Sequence, residues 1–356
     1  MMPVSPSSSA PAVPKGRMAS FGLLLYHRSQ IPAVYKEPFI INGYRKPNST
    51  VTESLKYLFV MHNDMGNFWT HLVPLCIWLP WLYWLSSRVD LTDPYFFPLL
   101  CFWAGACSYA VFSCIAHTFS TMSFTVRTVC FMLDYLGIAM YASGGSLAIF
   151  FYEQPLHGVW FERKWLILPV QMVLAINAVL LCSLSRFFWK SHRFVIRAFA
   201  FVIPYIIMIT PFIDRVLVCV TTGNECILET LYLHFVSFIV TFLVAFFFVT
   251  KIPERFAPGR FDFFGQSHQL FHIAAALLTT LQMYMFPLDA ILRKDELAQV
   301  QGATPGVYTT FFPYVVVQVS GLFIVAVFGY LVVKRVLISN KKDVVKDIVE
   351  TERKIL

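Results

Sequence analysis

The chain has 356 residues, 57% of them hydrophobic and only 13% charged. A soluble domain carries about 25% charged residues, so composition excludes an ordinary soluble fold and points to a polytopic α-helical membrane protein. A net charge of +8 does not indicate nucleic acid, because no exposed segment alternates basic with aromatic residues and basic loops on one side of a membrane account for it.

Residues 1–20, rich in Ser, Pro and Ala, have no apolar core. They read as disordered and carry no secretory signal. Residues 28–60 are polar and mixed, with an amphipathic helix expected across Glu53–Met61 at the membrane interface. Uncharged runs of membrane length follow, about 20 residues being needed for each span. They cover 67–86, 95–117, 130–152, 165–185, 195–213, 230–250, 266–288 and 308–333. An outer-membrane barrel would alternate in polarity over segments of about ten residues, and these runs do not. The expected organisation is an N-terminal cytoplasmic segment (1–62), an all-α bundle of eight transmembrane helices (63–335) and a cytoplasmic tail (336–356).

Counting basic residues on alternate sides fixes an orientation. Of the 28 Lys and Arg, 22 fall on the side holding both termini and six on the other. Basic residues collect in cytoplasmic loops, so both termini are expected in the cytoplasm, and the sequon at Asn48 is expected to stay unglycosylated. Six of the eight cysteines lie in apolar runs and read as packing residues. Cys219 and Cys226 flank a polar loop between the fifth and sixth spans, where a disulfide is expected.

The seventh span opens on Ser267-His268-Gln269-Leu270-Phe271-His272. Residues four apart share one helix face, so His268 and His272 can present two imidazoles to one metal ion. Under the charge-derived topology, His117 at the end of the second span and Asp134 at the start of the third reach the same depth. Three imidazoles with room for a water make an open, reactive zinc site, whereas structural zinc sites have four protein ligands. Asp134 is then expected to hold the zinc-bound water or to orient a ligand imidazole. Ser113, one turn before His117, is expected on the same face. His71 reads as a boundary histidine in a wet interface, His234 as a packing residue near the outer end, and the Trp and Tyr residues at 78–84 as an aromatic belt.

Three blocks carry a resemblance: Asn63-Asp64-Met65-Gly66-Asn67-Phe68-Trp69-Thr70-His71-Leu72, the stretch from Ser113 and His117 to Asp134-Tyr135-Leu136-Gly137, and Pro258-Gly259-Arg260-Phe261-Asp262 through His272. They resemble the progestin and adipoQ receptor family over roughly 30 to 335, and the third block with the eighth span looks like its membrane progestin receptor branch, close to the gamma type. The resemblance implies a seven-helix bundle with a zinc ion (Zn2+) bound by His117, His268 and His272 in its cytoplasmic half, Asp134 holding the water, and Ser113 beside it. Two departures stand out. Asp64 replaces the usual Glu and is one methylene shorter, which is expected to weaken its contacts; Gln266 stands where close relatives often carry His.

The function expected from the resemblance is a plasma-membrane receptor for progestin-type steroids. The alternative is a zinc-dependent, ceramidase-like lipid amide hydrolase whose product is the signal, with Asp134 as general base and Ser113 assisting. A steroid or sphingolipid-like ligand and membrane lipids are the expected partners. A G protein is the candidate cytoplasmic partner, though no residue selects it. An ion channel or transporter fits worse, because no span carries a row of charges and no pair of broken helices suggests an inverted repeat.

Overall fold

The computed structural model describes residues 16–156, 159–189, 192–299 and 304–355; for 159–165 and 340–355 it describes the backbone alone. The chain begins with a small antiparallel sheet of β1 (Arg17–Met18), β2 (Leu24–Tyr26) and β3 (Tyr44–Arg45), with Arg17 opposite Leu25 and Leu25 opposite Arg45. Order therefore starts earlier than expected. Residues 17–22 are structured because Leu23 packs against Tyr57 and Val60; residues 1–15 lie outside the described residues. The expected interfacial helix is shorter and begins sooner, as α1 (Val51–Tyr57). A capping box sets its start: Thr50 Oγ1 accepts from the Glu53 amide, and Glu53 Oε2 accepts from the Thr50 amide at 2.8 Å.

Among the described residues, seven helices are long and apolar enough to cross a membrane. The first expected span is instead a broken pair, α2 (Met65–Trp78) and α3 (Trp81–Ser86), together covering 65–86. The break falls at Leu79–Pro80, since proline has no amide hydrogen to continue the helical ladder. The other membrane helices are α4 (Phe97–Phe119), α5 (Phe124–Tyr152), α6 (Val159–Phe187), the consecutive pair α7 (Arg193–Met208) and α8 (Thr210–Thr222), α9 (Leu228–Thr250) and α10 (Ser267–Leu292). A five-residue helix, α11 (Lys294–Ala298), follows, and α12 (Phe311–Ile355) continues without interruption through the expected tail.

Packing runs in a ring: α2 against α4, α4 against α5, α5 against α6, α6 against α7, α9 against α10, and α10 back against α2, with a thin contact between α7 and α9 closing it. The C-terminal helix α12 lies outside the ring against α5 and α6. This is the expected seven-helix bundle with an additional helix. The α4–α5 pair is the tightest seam, and glycines make it so. A Cβ on Gly105 would come within 2.5 Å of the Met140 carbonyl, and one on Gly144 within 2.6 Å of the Cys101 carbonyl. Backbones this close exclude any side chain at those two positions.

Trp78 is a core residue, only 1% exposed, and its indole donates to Thr280 Oγ1 at 3.0 Å; Trp81 donates to the Met283 carbonyl. The expected aromatic belt at 78–84 is thus in part a seam joining α2 and α3 to α10, with Tyr83 and Trp84 as its exposed members. Cys219 and Cys226 are bonded to each other, with their Cα atoms 5.0 Å apart. The bundle has two ends that matter below: a histidine end, capped by the N-terminal segment, and a disulfide end.

Candidate metal centre

The histidine end is built around the start of α10. Glu254 receives the Ser267 amide at 2.7 Å and also the Ser267 hydroxyl, so a carboxylate caps a helix N-terminus whose dipole favours it. Gln269 accepts from the Gly265 amide at 2.8 Å and donates to the Phe263 carbonyl at 2.8 Å. Asp262 ties the preceding loop to the N-terminal segment by accepting from the amides of Ile41 and Asn42 at 2.9 and 2.8 Å. Gln266 is buried and donates to the Asn63 carbonyl. The block before the histidine pair therefore fixes where α10 begins, and with it the direction of His268 and His272.

The closely packed α4 brings His117 to the same place. His117, His268 and His272 each offer a ring nitrogen, and these atoms all lie within 4.8 Å of one another. Ring centroids are 4.5 to 5.3 Å apart. The way the other nitrogens are engaged tests whether a metal suits this set. His272 Nδ1 lies 3.1 Å from the Asn67 carbonyl and 3.3 Å from Thr70 Oγ1, which leaves its Nε2 for a ligand. His117 Nδ1 lies 2.8 Å from Asp64 Oδ1, while its Nε2 is buried and has no hydrogen-bond partner. Buried polar atoms are rarely left unpaired, and a neutral imidazole nitrogen beside two others is the donor set of a zinc-type ion. The residues present fit such an ion.

Asp64, one methylene shorter than expected for this position, nevertheless reaches three partners. Besides His117, it accepts from Asn67 Nδ2 at 2.5 Å and from Arg45 Nη2 at 2.7 Å. Arg45 and Asn67 close on the carboxylate from either side. Burial disfavours its charged form, but the His117 and Arg45 charges outweigh that and hold the Asp64 carboxyl well below the usual carboxylate range.

Asp134 stays outside the set of mutually adjacent ligand atoms. Its carboxyl stands next to Ser113 and feels the charges of His117 and Arg186. Ser113 Oγ is buried without a full hydrogen bond. His71 is not a wet boundary residue. It is 3% exposed and stacks on His272 with ring centroids 4.1 Å apart, and its Nδ1 has no partner. Spacing alone gave no sign of this, since His71 approaches the site only because α2 packs between α4 and α10.

A second polar cluster sits at the disulfide end, and here His234 is more than a packing residue. Its Nε2 lies 2.7 Å from Asp289 Oδ2 and its Nδ1 lies 3.3 Å from Glu153 Oε2, all three groups buried. Asp289 also accepts from Arg215 at 2.9 Å, and Arg215 donates to Thr230 Oγ1 at 3.0 Å. Arg293 pairs with Glu225 at 2.9 Å and donates to the Tyr152 and Gln154 carbonyls. Arg215 and Arg293, two of the six basic residues counted on the side opposite the termini, are fully buried. Carboxylates meet both ring nitrogens of His234, while Glu153 Oε1, Arg215 Nε and Arg293 Nε have no hydrogen-bond partner.

Comparison with known proteins agrees with the blocks around the histidine end. Residues 59–283 match the family described as Haemolysin-III related. Membrane progestin receptor delta of Mus musculus is 34% identical over 306 residues, covering 84% of this chain and 88% of that protein. Membrane progestin receptor gamma of Homo sapiens is 35% identical over 280 residues, covering 76% and 83%, and membrane progestin receptor gamma-B of Danio rerio is 34% identical over 296 residues, covering 77% and 84%. With a family match across the whole histidine site and relatives matching over three quarters of the chain or more, the protein belongs to the haemolysin-III-related progestin and adipoQ receptor family, in its membrane progestin receptor branch.

Proposed function

We propose that this protein is a plasma-membrane receptor for progestin-type steroids whose histidine end, facing the cytoplasm, is organised by one zinc ion. The observation that carries the steroid reading is the similarity over most of the chain to proteins named membrane progestin receptors, of gamma and delta types alike. The zinc reading rests on the free, buried Nε2 of His117 beside His268 and His272. In this reading His117, His268 and His272 are the ligands, and Asp64 and Asn67 orient two of the three rings. Bound zinc would supply positive charge and Lewis acidity at the point where α2, α4 and α10 meet. Saturable binding of radiolabelled progesterone to membranes from cells expressing the chain, absent from control membranes, is the expected result. Binding no greater than control would overturn the steroid assignment.

A second reading, hydrolysis of a ceramide-like lipid amide, is favoured by one arrangement: the Asp134 carboxyl and the unbonded Ser113 hydroxyl standing beside a three-histidine set. There Asp134 would take a proton from the attacking water and Ser113 would steady the carboxyl. Asp134→Asn and Ser113→Ala should leave zinc content near that of the unaltered protein, since neither side chain is assigned as a ligand. Release of sphingosine from ceramide by purified protein, lost in Asp134→Asn, would place hydrolysis ahead of plain ligand binding; no release from the unaltered protein would remove it.

A further inference from the structure

Of the two rings in the histidine set whose second nitrogens are engaged, one has a neutral partner and one an anionic partner. His272 Nδ1 meets the Asn67 carbonyl. His117 Nδ1 meets a carboxylate, Asp64, at 2.8 Å. An imidazole that coordinates through Nε2 must carry its proton on Nδ1, and a carboxylate accepting that proton fixes the tautomer, holds the ring plane and makes Nε2 a stronger donor. Asp64 is itself held, by Asn67 Nδ2 at 2.5 Å and by Arg45 Nη2 at 2.7 Å. Arg45 is 4% exposed and grips two further points, the Thr118 carbonyl at 2.9 Å and Ser120 Oγ at 3.0 Å. Those residues lie one and three positions beyond His117. A single guanidinium therefore fixes both the carboxylate that orients His117 and the helix end that carries it. Arg45 belongs to β3, in the segment before the membrane helices, and it falls outside the stretch 59–283 that matches the family.

We infer that Arg45 and Asp64 are positioning residues for His117, so that the docked N-terminal segment sets the affinity of the histidine site for its metal. The inference rests on the zinc reading above and deepens it. Arg45 acts through Asp64 and through the end of α4, and both routes converge on the His117 ring. Losing either loosens the ring without removing a ligand.

The test is a zinc titration of full-length purified protein against a competing chelator, together with the visible spectrum of the Co2+-substituted form. Asp64→Asn keeps the size of the side chain and loses its charge; it should weaken zinc binding by roughly 10–100-fold and shift the Co2+ bands. Asp64→Glu should restore both towards the unaltered protein. Arg45→Gln should weaken zinc by a smaller factor, and should add less once Asp64 is already Asn, because much of its effect passes through that carboxylate. A merely structural ion pair would lower thermal stability and leave the Co2+ spectrum of the folded fraction unchanged. If the unaltered protein binds one zinc and Asp64→Asn binds it equally well, the positioning role is refuted while the zinc reading stands. If the Arg45 and Asp64 effects multiply, Arg45 acts independently and the relay is wrong. If the unaltered protein binds no zinc, both fall together. Should Asp64→Asn not fold, Arg45→Gln against Asp64→Glu decides: an unshifted Co2+ spectrum and unchanged affinity in Arg45→Gln overturns the relay.

Discussion

The bundle buries two clusters made of the same kinds of side chain, one at each end, and they are closed in different ways. At the disulfide end, Glu153, Asp289 and Glu225 meet Arg215, Arg293 and His234, three carboxylates against two guanidiniums and an imidazole, and both nitrogens of His234 face acids. At the histidine end, three imidazoles crowd together with one carboxylate in contact, and buried nitrogens on His117 and His71 have no partner. Both sets place ligand-type atoms within 4.8 Å of one another, so proximity does not separate them. The charge balance does. At the disulfide end carboxylates already stand against guanidiniums, whereas at the histidine end imidazole nitrogens face each other with one carboxylate in contact, a donor set suited to a cation.

The largest expected effect tests that contrast directly. The double variant His268→Ala, His272→Ala should fall from about one zinc per chain to almost none, measured by elemental analysis of purified protein, because one ligand cannot hold the ion. His234→Ala should keep its zinc and instead melt at a lower temperature. Zinc that survives the double variant, or that vanishes with His234→Ala, would reverse the roles given to the two ends.

Next in size is the cost of breaking the closed cluster. Asp289 and Arg215 are both fully buried and 2.9 Å apart. Asp289→Asn leaves the guanidinium in the interior without its counter-charge, and removing one partner of such a pair costs about 3–5 kcal/mol. Thermal unfolding in detergent should show a large loss, with much of it recovered when Arg215→Met is added, since the apolar pair strands no charge. If Asp289→Asn unfolds at the same temperature as the unaltered protein, the knot is not holding this end.

How far these features can be read from the sequence depends on how local they are. The membrane helices are legible because about twenty uncharged residues in a row have few soluble alternatives, and the His268–His272 pair because its spacing lies within one helix turn. The break at Leu79–Pro80 was marked by its proline, yet the apolar run continues across it and hides the two short helices. Arg215 pairs with Asp289, a partner 74 positions away, so in sequence it looks like a loop charge that ends the fifth span; the chain in fact stays helical to Thr222. Arg45 sits in a polar stretch that reads as surface, and only docking of the N-terminal segment against the end of α4 buries it. His71 likewise needs three helices in place before it meets His272. Local periodicity marks the histidine pair; the residues that contact those rings are fixed by contacts across the fold.

The smallest effect expected concerns one unpaired oxygen of the disulfide-end cluster. Glu153, the first residue beyond α5, is 1% exposed; His234 lies 3.3 Å from one carboxyl oxygen, and the other oxygen has no partner. Burial is the main cause that pushes its carboxyl up to about 7, with His234 pulling the other way and the nearby Asp289 charge adding to the rise. A carboxyl whose folded value lies above its ordinary value near 4.5 binds its proton more tightly when folded. Its contribution to stability is therefore complete below about 4.5 and is lost as the pH rises through about 7. The melting temperature of the unaltered protein should fall by a few degrees between pH 6 and pH 8, while Glu153→Gln, which mimics the protonated group, should be flatter across that window. Chelating the zinc should leave this slope in place, because the titrating group sits at the end of the bundle opposite the histidines. A slope that persists in Glu153→Gln, or that disappears on chelation, would move the pH sensitivity to the histidine end and break the division between the two clusters.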